Sequence, residues 1–158
     1  MKKLLVVLVL VVVAAGAFAD DIFGSYNKPG NMNIYAAVGW YYFPEVTVAA
    51  EYMLGEFTLG TVPLDWGVAV RGGMDFDSSG FDFGVGALAT LHLGLTVIPV
   101  EFYASLGVCY HNYNAPVIPV TVASFGGATW WFSKNIGLLV ENGYLGWYFW
   151  GVGVQVKI

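Results

Sequence analysis

The sequence predicts an all-β fold, a transmembrane antiparallel up-and-down β-barrel of about eight strands, on three observations. Only 11% of the 158 residues are charged and 58% are hydrophobic, whereas a soluble domain carries about a quarter charged residues. Long stretches alternate apolar with small or polar side chains, as a strand with one apolar face does. After residue 19, no apolar stretch reaches the roughly 18 residues of a helical span. Lipid admits only helices and closed barrels, so a barrel is expected.

The first 19 residues have the features of a secretory signal peptide. Residues 1–3 are a short basic segment, residues 4–15 carry no polar side chain, and Ala17 and Ala19 place small residues at the cleavage-determining positions. The apolar run is shorter than the roughly 20 residues of a spanning helix, so we expect cleavage before Asp20 rather than an uncleaved anchor.

Cleavage leaves four basic residues against eleven acidic ones. Because phosphate binding requires an excess of Lys and Arg, no nucleic-acid partner is expected. Residues 20–30 are rich in Gly, Asn, Pro and Asp, and we expect a flexible N-terminal segment there. Residues 31–158 then form a single barrel domain, long enough for a substantial core.

The first half of the barrel contains four predicted strands. They cover residues 31–43, 46–57, 64–76 and 81–97. In the third, Trp66 faces lipid while Asp65 and Arg71 face the interior, as the two-residue period of a strand requires. Turns are expected at residues 44–45 and 77–80, which contain residue types favoured in turns.

The second half adds four more strands, which gives an even number of strands and places both chain termini on one side of the membrane. They cover residues 100–111, a stretch within 118–132, residues 136–143 and residues 148–158. A two-residue connection at Ile98-Pro99 would pair Val97 with Val100 and match both faces. The parity of the strand within 118–132 is not fixed by its sequence, and Gly126-Gly127 is a candidate bulge.

The signal peptide, the eight amphipathic strands, the aromatic residues near strand ends and the alternating terminal strand resemble the small outer-membrane β-barrel proteins of diderm bacteria. The resemblance covers residues 31–158 and implies a monomer in the cell outer membrane. It also implies contact with outer-membrane lipid, a periplasmic position for residues 20–30, and recognition of the C-terminal strand by the barrel-assembly machinery. Barrels of this family usually end in an aromatic residue, whereas this chain ends in Ile158. The family has varied activities, so the resemblance selects none.

Five charged side chains are predicted to face the interior and to form a structural polar network. They are Glu51, Arg71, Glu101, Glu141 and Lys157. A buried carboxylate without a partner is costly, so Arg71 is expected to pair with one or more of the glutamates, assisted by Lys157. An eight-stranded barrel is just wide enough to be filled by its own side chains. The alternative is a narrow channel or transporter for small or hydrophobic solutes along this network.

Aromatic side chains cluster near strand ends, as the interfacial girdles of membrane barrels do. The residues expected at the membrane interface are Trp40, Tyr42, Trp130, Trp131, Trp147, Tyr148 and Trp150. A platform that binds a carbohydrate or a hydrophobic ligand is the more specific alternative for these clusters.

No catalytic, cofactor-binding or metal site is predicted. His92, Cys109 and His111 all face inward, but the two histidines lie about 20 Å apart at roughly 3.3 Å per residue and cannot share an ion. Cys109 with His111 supplies only two ligands. Lipid-deacylating barrels use a His and a Ser close together on the outer surface of a strand, whereas His111 and Ser105 face inward, so an enzyme is not expected.

Two further interpretations concern the polarity of the barrel and its glycines. A secreted soluble barrel of the lipocalin type would turn Glu51, Arg71 and Glu101 outward, and its surface would carry too few ionic groups. Gly84-x-Gly86 and Gly151-x-Gly153 lie in strands with no helix pattern after them, so close packing explains them better than a phosphate cradle. Because no catalytic, cofactor-binding or metal site is predicted, we expect a structural or surface-interaction role.

Overall fold

The computed structural model describes residues 22–77, 80–113 and 119–158, so the predicted signal peptide and its cleavage site lie outside the described residues. Nine strands occur in these ranges: β1 Phe23–Gly24, β2 Met32–Trp40, β3 Pro44–Leu59, β4 Val62–Asp77, β5 Gly80–Leu95, β6 Val100–His111, β7 Val120–Trp131, β8 Ile136–Tyr144 and β9 Tyr148–Lys157. Strands β2–β9 form a closed antiparallel barrel, because β2 pairs with both β3 and β9. The predicted fold class is confirmed. No helix in the described ranges is long and apolar enough to cross a membrane.

The barrel carries apolar side chains on its outer wall and polar ones inside. Val70 on β4 is 60% exposed, while the next residue, Arg71, is 3% exposed. The same alternation runs along most of β2, β3, β5 and β8. A transmembrane barrel has this polarity because its surroundings are apolar. The lipocalin interpretation, which needs the opposite polarity, is wrong.

The register between β5 and β6 differs from the predicted one by two residues. Leu95, not Val97, pairs with Val100, and the connection spans the four residues 96–99. Because a shift of two preserves the side-chain period, each residue still lies on its predicted face.

The irregularity in the barrel lies in β3 and not at the predicted glycine pair. The register shifts between Met53 and Gly55, whereas Gly126 and Gly127 pair without interruption on both sides. A Cβ at Gly55 would lie 2.7 Å from the indole nitrogen of Trp66, so the bulge accommodates that ring.

The two ends of the barrel are closed differently. We call the end that carries Ile22 and Ile158 the terminal end and the opposite end the outer end. At the terminal end, β1 pairs with the end of β5, and Gly30 N donates to Met53 O at 2.9 Å. Residues 22–30 therefore pack against the barrel, in contrast to the free flexible segment that the sequence predicts.

At the outer end, the loop between β8 and β9 folds into the barrel. Leu145 is fully buried, and a Cβ at Gly84 would lie 2.7 Å from its carbonyl oxygen. Gly146 has a φ of +99° and lies against the ring of His111, so only glycine suits this turn. The prediction that Gly84 serves close packing is confirmed.

Candidate functional site

A histidine bridges two carboxylates in the half of the barrel nearer the terminal end. His92 on β5 contacts Glu51 Oε1 through Nε2 at 2.8 Å and Glu101 Oε1 through Nδ1 at 2.9 Å. All three residues are 1% exposed. We call Glu51, His92 and Glu101 the triad. Both ring nitrogens meet carboxylates, so a protonated imidazole satisfies the arrangement with two charge-assisted hydrogen bonds.

Neutral side chains donate further hydrogen bonds to both triad carboxylates. Glu51 Oε2 accepts from Asn33 Nδ2 at 2.9 Å and from the Tyr35 hydroxyl. Glu101 accepts from Asn27 Nδ2 and, at 2.9 Å, from the indole nitrogen of Trp131. A buried carboxylate with several donors is well stabilised, so the carboxylates and the imidazole of the triad are satisfied, while the amide oxygens of Asn27 and Asn33 have no hydrogen-bond partner.

On the side of the triad nearer the outer end, the side chain of Arg71 on β4 reaches across the barrel to Glu141 on β8. Arg71 Nη1 donates to Glu141 Oε1 at 2.6 Å and Nη2 donates to Oε2 at 3.0 Å, which is the bidentate geometry of a strong pair. Thr47 and Tyr103 also donate to Glu141. The guanidinium lies 3.9 Å from the ring centroid of Phe125. The structure therefore brings together Arg71 and Glu141, two of the residues predicted for the interior network.

Lys157 lies at the terminal end of the barrel, where it interacts electrostatically with Glu101. Its Nζ donates to the carbonyl of Tyr26 at 2.5 Å and lies 4.2 Å from the ring of Trp131. This position belongs to the terminal end, because β9 finishes there. Its expected assistance to the Arg71 pairing is therefore wrong, and its role is to hold the N-terminal segment.

That segment covers the triad from the terminal side. Ser25 Oγ donates to Asp65 at 2.7 Å, and the backbone nitrogen of Asn27 donates to the same carboxylate at 3.2 Å. Asn27 is fully buried, and Tyr26 stacks on Trp131 with centroids 6.4 Å apart. Residues 22–30 thus act as a lid on the interior.

The outer end has a different set of carboxylates, which face one another. Glu45 on β3 is the direct cross-strand partner of Asp75 on β4, and Asp75 is the partner of Asp82 on β5. Glu45 is 3% exposed and Asp75 is 4% exposed. Like charges directly opposite each other are destabilising. Glu45 Oε2 is buried and has no hydrogen-bond partner.

Aromatic rings surround a cavity of about 220 Å³ beside these carboxylates. It is lined by Tyr41, Tyr42, Glu45, Asp75, Tyr113, Tyr144, Gly146, Trp147 and Tyr148. We call this cavity the outer chamber. Tyr41 contacts the ring of Tyr148 at a centroid distance of 5.6 Å, and Tyr144 contacts it at 5.2 Å. The buried indole nitrogen of Trp147 has no hydrogen-bond partner.

A depression of about 410 Å³ shares Tyr41, Tyr144 and Tyr148 with the outer chamber, and two larger ones lie on the outer wall. They measure about 460 and 510 Å³, and apolar side chains such as Val48, Val68 and Val70 line them. Lipid chains fill such grooves in a transmembrane barrel, so the smaller outer chamber is the better candidate for a specific site.

The structure divides the predicted interfacial aromatics into two groups. Five are exposed on the outer wall or rim: Trp40, Tyr42, Trp130, Tyr148 and Trp150. Trp131 and Trp147 are buried, so their predicted place at the membrane interface is wrong. Trp131 has inward parity on β7 and hydrogen-bonds Glu101, whereas Trp147 is carried inward by its loop.

Sequence reasoning missed His92 as the bridge and the carboxylates of the outer end. Inward parity on neighbouring strands was the available signal for both sets. His111 lies opposite Gly84, eight residues from His92 along β5, so the two histidines are further apart than predicted. Within the described ranges, no group of three or more His, Cys, Asp or Glu side chains could hold a metal ion.

No family model and no curated protein matches the chain. Solved structures do. The N-terminal β-barrel domain of Pseudomonas aeruginosa OprF aligns with a TM-score of 0.60 at 17% identity, over 84% of this chain and all of that one. The de novo designed TMB2.3 gives 0.59 at 23% identity, over 84% and 97%. A structure from the de novo design of transmembrane β-barrels gives 0.56 at 20% identity, over 84% and 98%.

At sequence identities of 17–23%, these structural similarities establish the fold alone. The chain is a closed eight-stranded barrel of the outer-membrane type, similar to the OprF domain. Any more specific role has to be argued from its own side chains.

Proposed function

We propose that this chain is an integral outer-membrane barrel of a diderm bacterium, with a side-chain-filled interior and a structural or surface-interaction role. The observation that supports it best is the pair of charged layers across the interior. The triad and the bidentate contact of Arg71 with Glu141 lie one above the other. An eight-stranded barrel has just enough interior space for its own side chains, so such layers close it to ions.

Export by the signal peptide, insertion through the C-terminal strand and a monomeric state in lipid belong to the same proposal. The apolar outer wall supports it, because side chains such as Val70 and Leu106 are about 60% exposed and need lipid around them. No catalytic residue or cofactor is part of the proposal.

A narrow channel for small solutes is the second candidate. The excess of buried carboxylates favours it, since Asp65, Glu45 and Asp75 are buried in addition to the three glutamates of the charged layers. A negative interior would favour the passage of cations.

Two measurements test the proposal. Residues 20–158, refolded in detergent, should migrate differently on a denaturing gel before and after boiling. Good solubility without detergent and no mobility shift would contradict a membrane barrel.

In planar bilayers the same protein should give no discrete conductance steps, while a large porin in the same membranes serves as the positive control. Reproducible steps at low protein load would replace the filled-barrel proposal with the channel.

A further inference from the structure

We propose that the outer chamber binds a small organic cation that carries a hydroxyl or carbonyl oxygen, such as an amino alcohol or a quaternary-ammonium alcohol. The inference rests on the proposed function only in that the outer end is taken to face the cell exterior. Its three supporting observations are the facing carboxylates Glu45 and Asp75, the aromatic walls and the unpartnered indole nitrogen of Trp147.

The charge of the chamber calls for a cation. The four basic residues that follow the signal peptide are Lys28, Arg71, Lys134 and Lys157. Lys28, Lys134 and Lys157 belong to the terminal end. Arg71 is four residues from Asp75 along β4, about 13 Å at roughly 3.3 Å per residue, and is engaged by Glu141. The ring of His111 lies behind Gly146, which lines the chamber.

The walls favour an organic cation over a metal ion. The carboxylates do not converge as a three-ligand metal group in the described ranges. Instead, tyrosine rings line the cavity and meet one another edge to face, Tyr41 with Tyr42 at 80° and Tyr144 with Tyr148 at 66°. Aromatic cages of this kind attract quaternary ammonium groups through the negative faces of the rings.

The indole nitrogen of Trp147 adds the requirement for an acceptor oxygen. Trp147 is 4% exposed and lines the cavity, yet its N–H donates to no acceptor. Buried donors are almost always paired. A ligand oxygen near the ammonium group would accept this hydrogen bond while Glu45 Oε2, also unpartnered, faces the positive charge. A volume of about 220 Å³ limits the ligand to a small molecule.

Choline is the probe, and 3,3-dimethylbutan-1-ol, its uncharged isostere, is the matched control. Both are titrated into residues 20–158 refolded in octyl glucoside, which carries no charged head group, with binding followed by calorimetry and tryptophan fluorescence. We expect saturable binding of choline, and affinity at least about tenfold lower for the isostere, because one lost ion interaction of roughly 1.4 kcal/mol is a factor of ten. No saturable choline binding, or equal binding of the isostere, would overturn the proposal, as would equal competition by Ca²⁺.

Variants locate the site. Glu45→Gln should weaken choline binding about tenfold, whereas Glu56→Gln, the same change near the other end of β3, should leave it unchanged. Trp147→Phe should weaken binding of choline but not of tetramethylammonium, which has no acceptor oxygen. The mobility shift on boiling reports whether each variant folds. If a folded Glu45→Gln variant bound choline like the parent protein, the chamber would not be the site.

The cation could be a free solute or a lipid head group. Reconstitution in phosphatidylcholine and in phosphatidylglycerol vesicles separates the two sources. Choline affinity lowered only in phosphatidylcholine indicates a head group in the chamber, and equal affinity indicates a free solute. The absence of conductance steps in planar bilayers tests the filled barrel, and the choline titration tests the binding site in the outer chamber. Either proposal can therefore fail while the other stands.

Discussion

The triad and the outer chamber both contain buried carboxylates, but the side chains around these carboxylates differ. In the triad, Glu51 and Glu101 share a histidine and receive neutral donors on their remaining oxygens. In the outer chamber, Glu45 and Asp75 are direct cross-strand partners, and one oxygen of Glu45 has no donor. Satisfied networks hold a fold together, whereas buried groups without partners need another explanation. The difference assigns stability to the triad and recognition to the chamber.

The triad and the outer chamber also differ in how they are covered. Residues 22–30 cover the triad and supply Asn27 to it, while the exposed tyrosines Tyr41, Tyr42 and Tyr148 form the rim of the chamber. The terminal end is therefore covered by the N-terminal segment, whereas the outer end is filled by the loop between β8 and β9 and has exposed tyrosines at its rim.

The largest expected effect follows from the charged layer between the two regions. Arg71→Ala leaves Glu141 buried without its counter-charge, and we expect the free energy of unfolding to fall by about 3–5 kcal/mol. Urea titration in lipid vesicles, followed by tryptophan fluorescence, measures it. Arg71→Lys keeps the charge but not the bidentate contact and should lose less. An unchanged value for Arg71→Ala would remove the anchoring role.

Removal of the bridge tests the triad directly. His92→Leu brings Glu51 and Glu101 together without a cation, and we expect a loss of about 3 kcal/mol in the same titration. Adding Glu51→Gln and Glu101→Gln to this variant should recover part of the loss, because the repulsion is then gone. If the triple variant were as unstable as the single one, charge bridging would not explain the stability of the triad.

The lid formed by residues 22–30 should contribute less to the free energy of unfolding than the triad does. Asn27→Ala removes a buried donor to Glu101, and we expect a loss of about 1–3 kcal/mol. Lys28→Ala, an exposed neighbour, is the control and should stay within about 0.5 kcal/mol of the parent protein. Equal effects of the two substitutions would show that the lid is not fixed by Asn27.

The smallest effect should have the opposite sign. Glu45→Gln removes one of two facing carboxylates, so we expect the barrel to be stabilised by about 0.2–1 kcal/mol while the chamber loses affinity for choline. Glu56→Gln removes the same charge from a second facing pair, with Asp65, so it is the control for choline affinity, which it should leave unchanged. A clear destabilisation by Glu45→Gln would make Glu45 a structural residue and erase the contrast with the triad.

The sequence by itself determined the eight strands of the barrel and, except for the strand within 118–132, the faces of their side chains. Because lipid demands apolar side chains at every second position, the alternation places Glu51, Arg71, Glu101 and Glu141 inside, where the structure has them. A register error of two residues between β5 and β6 did not disturb this result, since the side-chain period is two.

Only the tertiary structure decided which of these residues meet. Arg71 and Glu141 lie on β4 and β8, which face each other across the closed barrel, and periodicity along one strand carries no information about such distances. The burial of Trp147 depends on a loop that folds inward, and that of Trp131 on a strand whose parity is set by pairing with β6 and β8. Local pattern fixes the face of a residue, whereas barrel closure and loop packing fix its partners.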